Sequence, residues 1–116
     1  MSGQEQIGVA DLADFCAQSG RDGRPALLLD VREPWEAQLA SIRLDGVAAR
    51  LLPMGELPQR VGELDPLQPI VCYCHHGMRS LQVVAFLQRQ GFDSVYNLAG
   101  GIDAWSCEVD SVVPRY

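Results

Sequence analysis

The chain is expected to fold as an α/β domain: a mostly parallel central sheet of about five strands, flanked by helices on both faces. Three observations predict it. Short apolar runs, residues 26–31 and Ile70–Tyr73, alternate with stretches of helical period in which Leu12, Phe15 and Cys16 fall together. Those runs are continuously apolar, as in strands that crossover helices bury on both sides. With 116 residues and an apolar fraction of 47% the chain can bury one core without disulfides, so a single domain is expected over 1–116. Its core should span about 6–107, with an irregular tail over 108–116.

Each element follows from local signals. Residues 6–9 read as a short strand and 10–18 as a first helix, closed by Ser19-Gly20. Pro25 leads into the second strand, 26–31. Pro34 stands in the first turn of a short helix over 33–39, where its missing N–H costs nothing. Residues 50–53 suit a short strand, and 55–62 a short helix holding Leu57 and Val61. Pro69 opens the strand Ile70–Tyr73; a loop beginning at Cys74 follows, then a helix over 80–90 that Gly91 stops. Residues 94–97 form the last strand, and Gly100-Gly101 enters a final helix carrying Ile102 and Trp105.

Composition excludes several functions. A net charge of -6 disfavours nucleic acid as a partner, because phosphate binding relies on clustered basic side chains. All nine basic residues are arginines, so lysine Schiff-base chemistry is excluded and arginine is the permanent cation available to an anionic substrate. No apolar run is long enough for a membrane span and the N-terminus does not resemble a signal peptide, which makes the cytoplasm the expected location. Cys16, Cys72, Cys74 and Cys107 are irregularly spaced, which argues against a disulfide framework. All but Cys74 are expected to be buried, nearly inert thiols.

The informative stretch is Ile70-Val71-Cys72-Tyr73-Cys74-His75-His76-Gly77-Met78-Arg79-Ser80. An apolar strand ends at a cysteine, a glycine-bearing loop follows, and an apolar helix starts at once. That order aims backbone N–H groups and the positive end of a helix dipole at Cys74, so its thiol should ionise readily and act as a nucleophile. In such folds ligands sit at the carboxyl ends of strands. If the strands ending at Asp30 and at Tyr73 are neighbours, Asp30 and Arg32 lie near the Cys74 loop as a supporting ion pair.

Four segments in order resemble the single-domain rhodaneses, the thiosulfate- and persulfide-using sulfurtransferases. They are Leu29-Asp30-Val31-Arg32-Glu33 with Trp35-Glu36, Pro53-Met54-Gly55-Glu56-Leu57, Cys74-His75-His76-Gly77-Met78-Arg79-Ser80, and Gly91-Phe92 with Tyr96-Asn97-Leu98-Ala99-Gly100-Gly101-Ile102-Asp103-Ala104-Trp105. The resemblance covers about 27–105 and implies a rhodanese-like fold. It implies that Cys74 takes sulfane sulfur from a donor such as thiosulfate or a protein persulfide, becomes a persulfide, and passes the sulfur to a nucleophilic acceptor. The N–H groups from His75 to Ser80 would cradle the terminal sulfur, and Gly77 would allow the backbone turn. The helix dipole and Arg79 would favour the anion. No cofactor is implied. One departure is evident: where the family carries Gly-His-Ile and then Gly-Ala, this chain reads Ala40-Ser41-Ile42-Arg43-Leu44-Asp45-Gly46-Val47-Ala48-Ala49.

Competing readings rest on the same residues. Cys72, two residues before Cys74, would share its side of the strand and could resolve a disulfide, though a core thiol is the simpler role. Cys72, Cys74, His75 and His76 lack the second ligand pair that a structural zinc site needs, so no metal is expected. His75 and His76 shape the pocket entrance or simply face solvent. Arg79 either neutralises the donor or pairs with Asp30 or Glu33. Trp35 and Trp105 read as core or rim packing, and Met78 at the loop tip could touch a protein partner. A cysteine-dependent phosphatase or arsenate reductase needs five residues between cysteine and arginine; only His75, His76, Gly77 and Met78 intervene here, a loop sized for one sulfur. A persulfide relay between protein partners, with little turnover of free thiosulfate, is the remaining alternative. The 112–116 tail suggests no function beyond packing back on the domain.

Overall fold

The structure, a computed structural model, describes residues 5–116. In chain order its elements are β1 (Gln6–Gly8), α1 (Leu12–Arg21), β2 (Leu27–Asp30), α2 (Pro34–Leu39), β3 (Ala48–Leu51), α3 (Leu57–Arg60), β4 (Ile70–Tyr73), α4 (Met78–Arg89), β5 (Val95–Ala99) and α5 (Gly101–Glu108). The five strands form one sheet in the order β1-β5-β4-β2-β3, and all four pairings are parallel.

The pleat divides the core in two. Leu27, Leu29, Ile70 and Cys72 point to the side covered by Leu57 of α3 and by Val83, Val84 and Leu87 of α4. Leu28, Val71 and Tyr73 point to the other side, against Leu12 and Cys16 of α1 and Ile102 and Trp105 of α5. Helices thus cover both faces, and every residue of β2 and β4 is buried, which is why these strands carry no polar alternation.

From β2 the chain moves outward to β3, whereas from β4 it moves the opposite way to β5. The strand order therefore reverses between the carboxyl ends of β2 and β4, the switch point whose crevice is where open α/β sheets bind ligands. Asp30 pairs in register with Tyr73, so the expected neighbourhood of the two polar strand ends is realised.

Several expected boundaries shift. A 3-10 turn, Val9–Asp11, precedes α1, and α1 runs through Ser19 and Gly20 to Arg21 rather than closing there. β3 begins at Ala48 because its register is set by Leu27 and Leu28 of β2, and it ends before Pro53, which has no N–H for the ladder. The helix expected over 55–62 is broken into 3-10 turns on either side of the four-residue α3. β5 extends to Ala99, two residues beyond expectation, through its pairing with β1. α4 starts at Met78, not Ser80, because Gly77 takes the left-handed conformation (φ 101°) and turns the chain into the helix early. In the 41–49 segment the Ser41 Oγ donates to Ala37 O at 2.9 Å, and the neighbouring Ile42 is buried. Among the described residues no helix is long and apolar enough to cross a membrane.

Candidate active site

Cys74 lies one residue past β4, at the crevice between β2 and β4, and is 1% exposed. Its Sγ receives the N–H of Gly77 at 3.1 Å and of Ser80 at 3.4 Å, with the Ser80 hydroxyl at 3.3 Å. Burial pushes the Cys74 thiol up, but the Ser80 hydroxyl and the N–H groups of Ser80, Gly77 and Arg79 outweigh it, and the thiol settles below its ordinary value. The start of α4 adds its dipole at the same point. The sulfur cradle is therefore narrower than the expected run from His75 to Ser80: the second half of the loop supplies it.

The first half is held from behind. The N–H groups of Ile102 and Asp103, in the first turn of α5, donate to Cys74 O and His75 O, each at 3.0 Å. A Cβ on Gly101 would stand 2.5 Å from both carbonyl oxygens, so only glycine allows α5 this close. This is the physical content of the Gly100-Gly101 pair seen in the sequence.

Asn97 of β5 lies within a segment that carries the resemblance but has no role assigned by it, yet it joins both ends of the cradle. It is 2% exposed. Its Nδ2 donates to Gly77 O at 3.2 Å and to Gln6 Oε1 at 3.0 Å, and its Oδ1 accepts the hydroxyl of fully buried Ser80. A backbone carbonyl can only accept, which fixes the orientation of the amide. The Ser80 hydroxyl thus has one proton and two acceptors, Asn97 Oδ1 and Cys74 Sγ. The local signal for a role is that Asn97 is an amide on a strand whose other residues are apolar or aromatic.

The cations are committed elsewhere. Arg79 does not pair with Asp30 or Glu33; it forms a bidentate pair with Glu36 of α2, at 2.7 and 2.8 Å. Pro34 places Glu36 one turn into α2, where the carboxylate also accepts the N–H of Glu33 at 3.0 Å and closes a capping box. Arg79 foremost, against the cost of burial, holds the Glu36 carboxyl down at about 2. Arg32 is fully buried and donates to Asp30 (2.7 and 2.8 Å), to Ala40 O (2.7 Å) and to the Tyr116 hydroxyl (2.9 Å). Asp30 and Arg32 are the expected framework pair, but they reach the loop indirectly.

Tyr116 makes the link, and the tail is accordingly more than packing. Its hydroxyl donates to Glu36 Oε2 at 2.7 Å, and its ring stacks on His75 with centroids 4.0 Å apart. His75 stacks in turn on His76 at 4.0 Å, and Trp35 meets Tyr116 edge-on. Burial, then the nearby His76, pushes His75 below its usual value, which favours the uncharged ring. Trp35 is 60% exposed and belongs to the rim, as does Met78 at 72%, whereas Trp105 is core. Cys72 is buried on the Cys74 side of the sheet, and burial, then the neighbouring Cys74, raises its thiol. Cys107 is exposed, contrary to the expectation of burial, because it lies on the outer face of α5. Among the described residues no group of three or more metal-ligating side chains comes together.

The chain belongs to the rhodanese family: the Rhodanese-like domain model matches residues 13–108. It is 40% identical over 94 residues to a protein of Allochromatium vinosum named Sulfurtransferase, covering 81% of this chain and 84% of that one. It is also 40% identical over 95 residues to the chloroplastic Rhodanese-like/PpiC domain-containing protein 12 of Arabidopsis thaliana; the match takes in 78% of this chain but only 30% of that longer protein. A rhodanese-related protein from Thermoplasma volcanium superposes with a TM-score of 0.71 at 30% identity, covering 90% of this chain and 93% of that one. The fold is the expected rhodanese-like one.

Proposed function

We propose that the protein is a sulfurtransferase that carries sulfane sulfur as a persulfide on Cys74. The observation that carries the reading is the convergence of the Gly77 and Ser80 N–H groups and the Ser80 hydroxyl on one buried sulfur. These donors favour a thiolate before the reaction and an anionic terminal sulfur after it. In the first half-reaction the Cys74 thiolate attacks the sulfane sulfur of a donor. The new S–S bond forms as the donor's own bond breaks, and the pair of electrons leaves on sulfite (from thiosulfate) or on a thiolate (from a persulfide). In the second, an acceptor nucleophile attacks the outer sulfur and Cys74 leaves as thiolate, so no external oxidant is required.

Support comes also from the four-residue span between Cys74 and Arg79 and from the direction of the Arg79 guanidinium, bound to Glu36. A phosphatase loop would need that guanidinium for its oxyanion. The 40% identical sulfurtransferase of similar length agrees with the reading. Thiocyanate formation from cyanide, with thiosulfate and with cysteine persulfide as donors, tests it. Turnover should be lost on Cys74→Ser with both donors; residual turnover at the wild-type rate would refute the assignment.

A further inference from the structure

Resting on the Cys74 persulfide reading above, we propose that Glu36 is a specificity-determining residue. By holding Arg79 in a two-point pair it removes the permanent cation the loop could offer a dianion. The site then takes sulfur from a thiol-bound persulfide, R–S–SH, in preference to thiosulfate.

Thiosulfate presents a sulfonate-like head with two negative charges, which proteins meet with paired donors on a free guanidinium. Here that geometry is already filled. Both Arg79 terminal nitrogens lie on Glu36 oxygens at 2.7 and 2.8 Å. Glu36 cannot swing aside into water: it is 3% exposed and is also held by the Glu33 N–H and the Tyr116 hydroxyl. The second arginine of the crevice, Arg32, is fully buried against Asp30 and Ala40 O. Arg115, near the loop on the α5 side, is paired with Asp103 at 3.0 Å. Each local cation is thus matched by a carboxylate, and the chain as a whole carries -6, a field that repels a dianion more than a persulfide bearing at most one charge on its sulfur. What the rim does offer is uncharged surface: Met78, Trp35 and the Tyr116–His75 stack.

The chemistry balances without a co-reactant. The Cys74 thiolate attacks the terminal sulfur of R–S–SH; the donor S–S bond breaks, its electron pair leaves as R–S⁻, and the proton carried on the transferred sulfur then passes to that thiolate, leaving the anionic Cys74–S–S⁻ in the cradle. A low-mass thiol or a protein cysteine could carry R, and separate probes distinguish them.

The test is the rate of Cys74 loading, followed by intact mass, with thiosulfate, with cysteine persulfide, and with a cysteine desulfurase bearing its own persulfide. Wild type should show kcat/KM at least about tenfold higher for a persulfide donor than for thiosulfate. Loading by cysteine persulfide points to a low-mass source, and loading by the desulfurase alone to a protein source; both support the proposal. Glu36→Gln frees Arg79 and should lower the KM for thiosulfate by about tenfold, whereas the isoelectric double variant Glu36→Gln/Arg79→Gln should return it to the wild-type value. Equal use of thiosulfate and persulfide by wild type, or no gain for thiosulfate in a folded Glu36→Gln variant, overturns the proposal. If that variant does not fold, salt decides on wild type: thiosulfate loading should stay level or rise with ionic strength, and a steep fall would reveal a working cation and overturn it. Absence of loading from all three donors would instead overturn the Cys74 persulfide reading itself.

Discussion

The Ser80 hydroxyl carries a single proton between Asn97 Oδ1 and Cys74 Sγ. When Cys74 is a thiol the Ser80 hydroxyl can donate to Asn97 Oδ1, with its oxygen facing the S–H. When the sulfur is anionic the hydroxyl turns and donates to it. Ser80→Ala removes that response and leaves the Gly77 and Ser80 N–H groups in place. The pH profile of Cys74 alkylation by iodoacetamide should move to higher pH, with slower alkylation at pH 7; an unmoved profile would show that the backbone donors alone set the thiol. At this scale the sequence was readable where chemistry sits in one contiguous run. Cys74, Gly77 and Ser80 could be placed from the strand–loop–helix order. Asn97 and Glu36 could not, because their roles come from pairings 17 and 43 residues apart in the chain. Arg79 could be seen as a cation but not matched to its partner for the same reason.

Among elements, α4 and α5 hold the loop from its two ends, one through the dipole and N–H groups aimed at Sγ, the other through the N–H groups of Ile102 and Asp103. The approach of α5 requires Gly101, whose φ is 61° and whose absent Cβ leaves room for the Cys74 and His75 carbonyls. Gly101→Ala should therefore cost about 2–4 kcal/mol in urea unfolding and slow Cys74 alkylation, because the loop must retreat. A variant of wild-type stability would mean that the close approach is not needed. The order of strands and helices was legible from apolar runs and prolines. Boundaries were less so: β3 is fixed by register with β2, and α4 by the left-handed turn at Gly77, both decided by neighbours rather than by local propensity.

Across the whole molecule, the crevice between β2 and β4 is closed by a polar network that joins distant parts of the chain: Asp30 and Arg32 after β2, Glu36 on α2, Arg79 on α4, and Tyr116 in the tail. The tail offered no helical or strand period from which this could be read, since a single aromatic residue does the joining. Glu36 makes the network sensitive to acid. Its carboxyl lies near 2 in the folded protein and near 4.5 unfolded, so its contribution is fully present above about 4.5 and is lost as pH falls toward 2. That contribution is about 3 kcal/mol. Urea midpoints should drop across this window in wild type and drop less in Glu36→Gln; equal slopes would show that other carboxylates govern acid unfolding.

The most direct measurement is the intact mass of wild type and Cys74→Ser after exposure to a sulfane donor, cysteine persulfide first and thiosulfate second. A gain of one sulfur atom on wild type alone, removed by cyanide, is the predicted result. An equal gain on Cys74→Ser, or none on either protein with any donor, would contradict the assignment of Cys74 as the sulfur carrier.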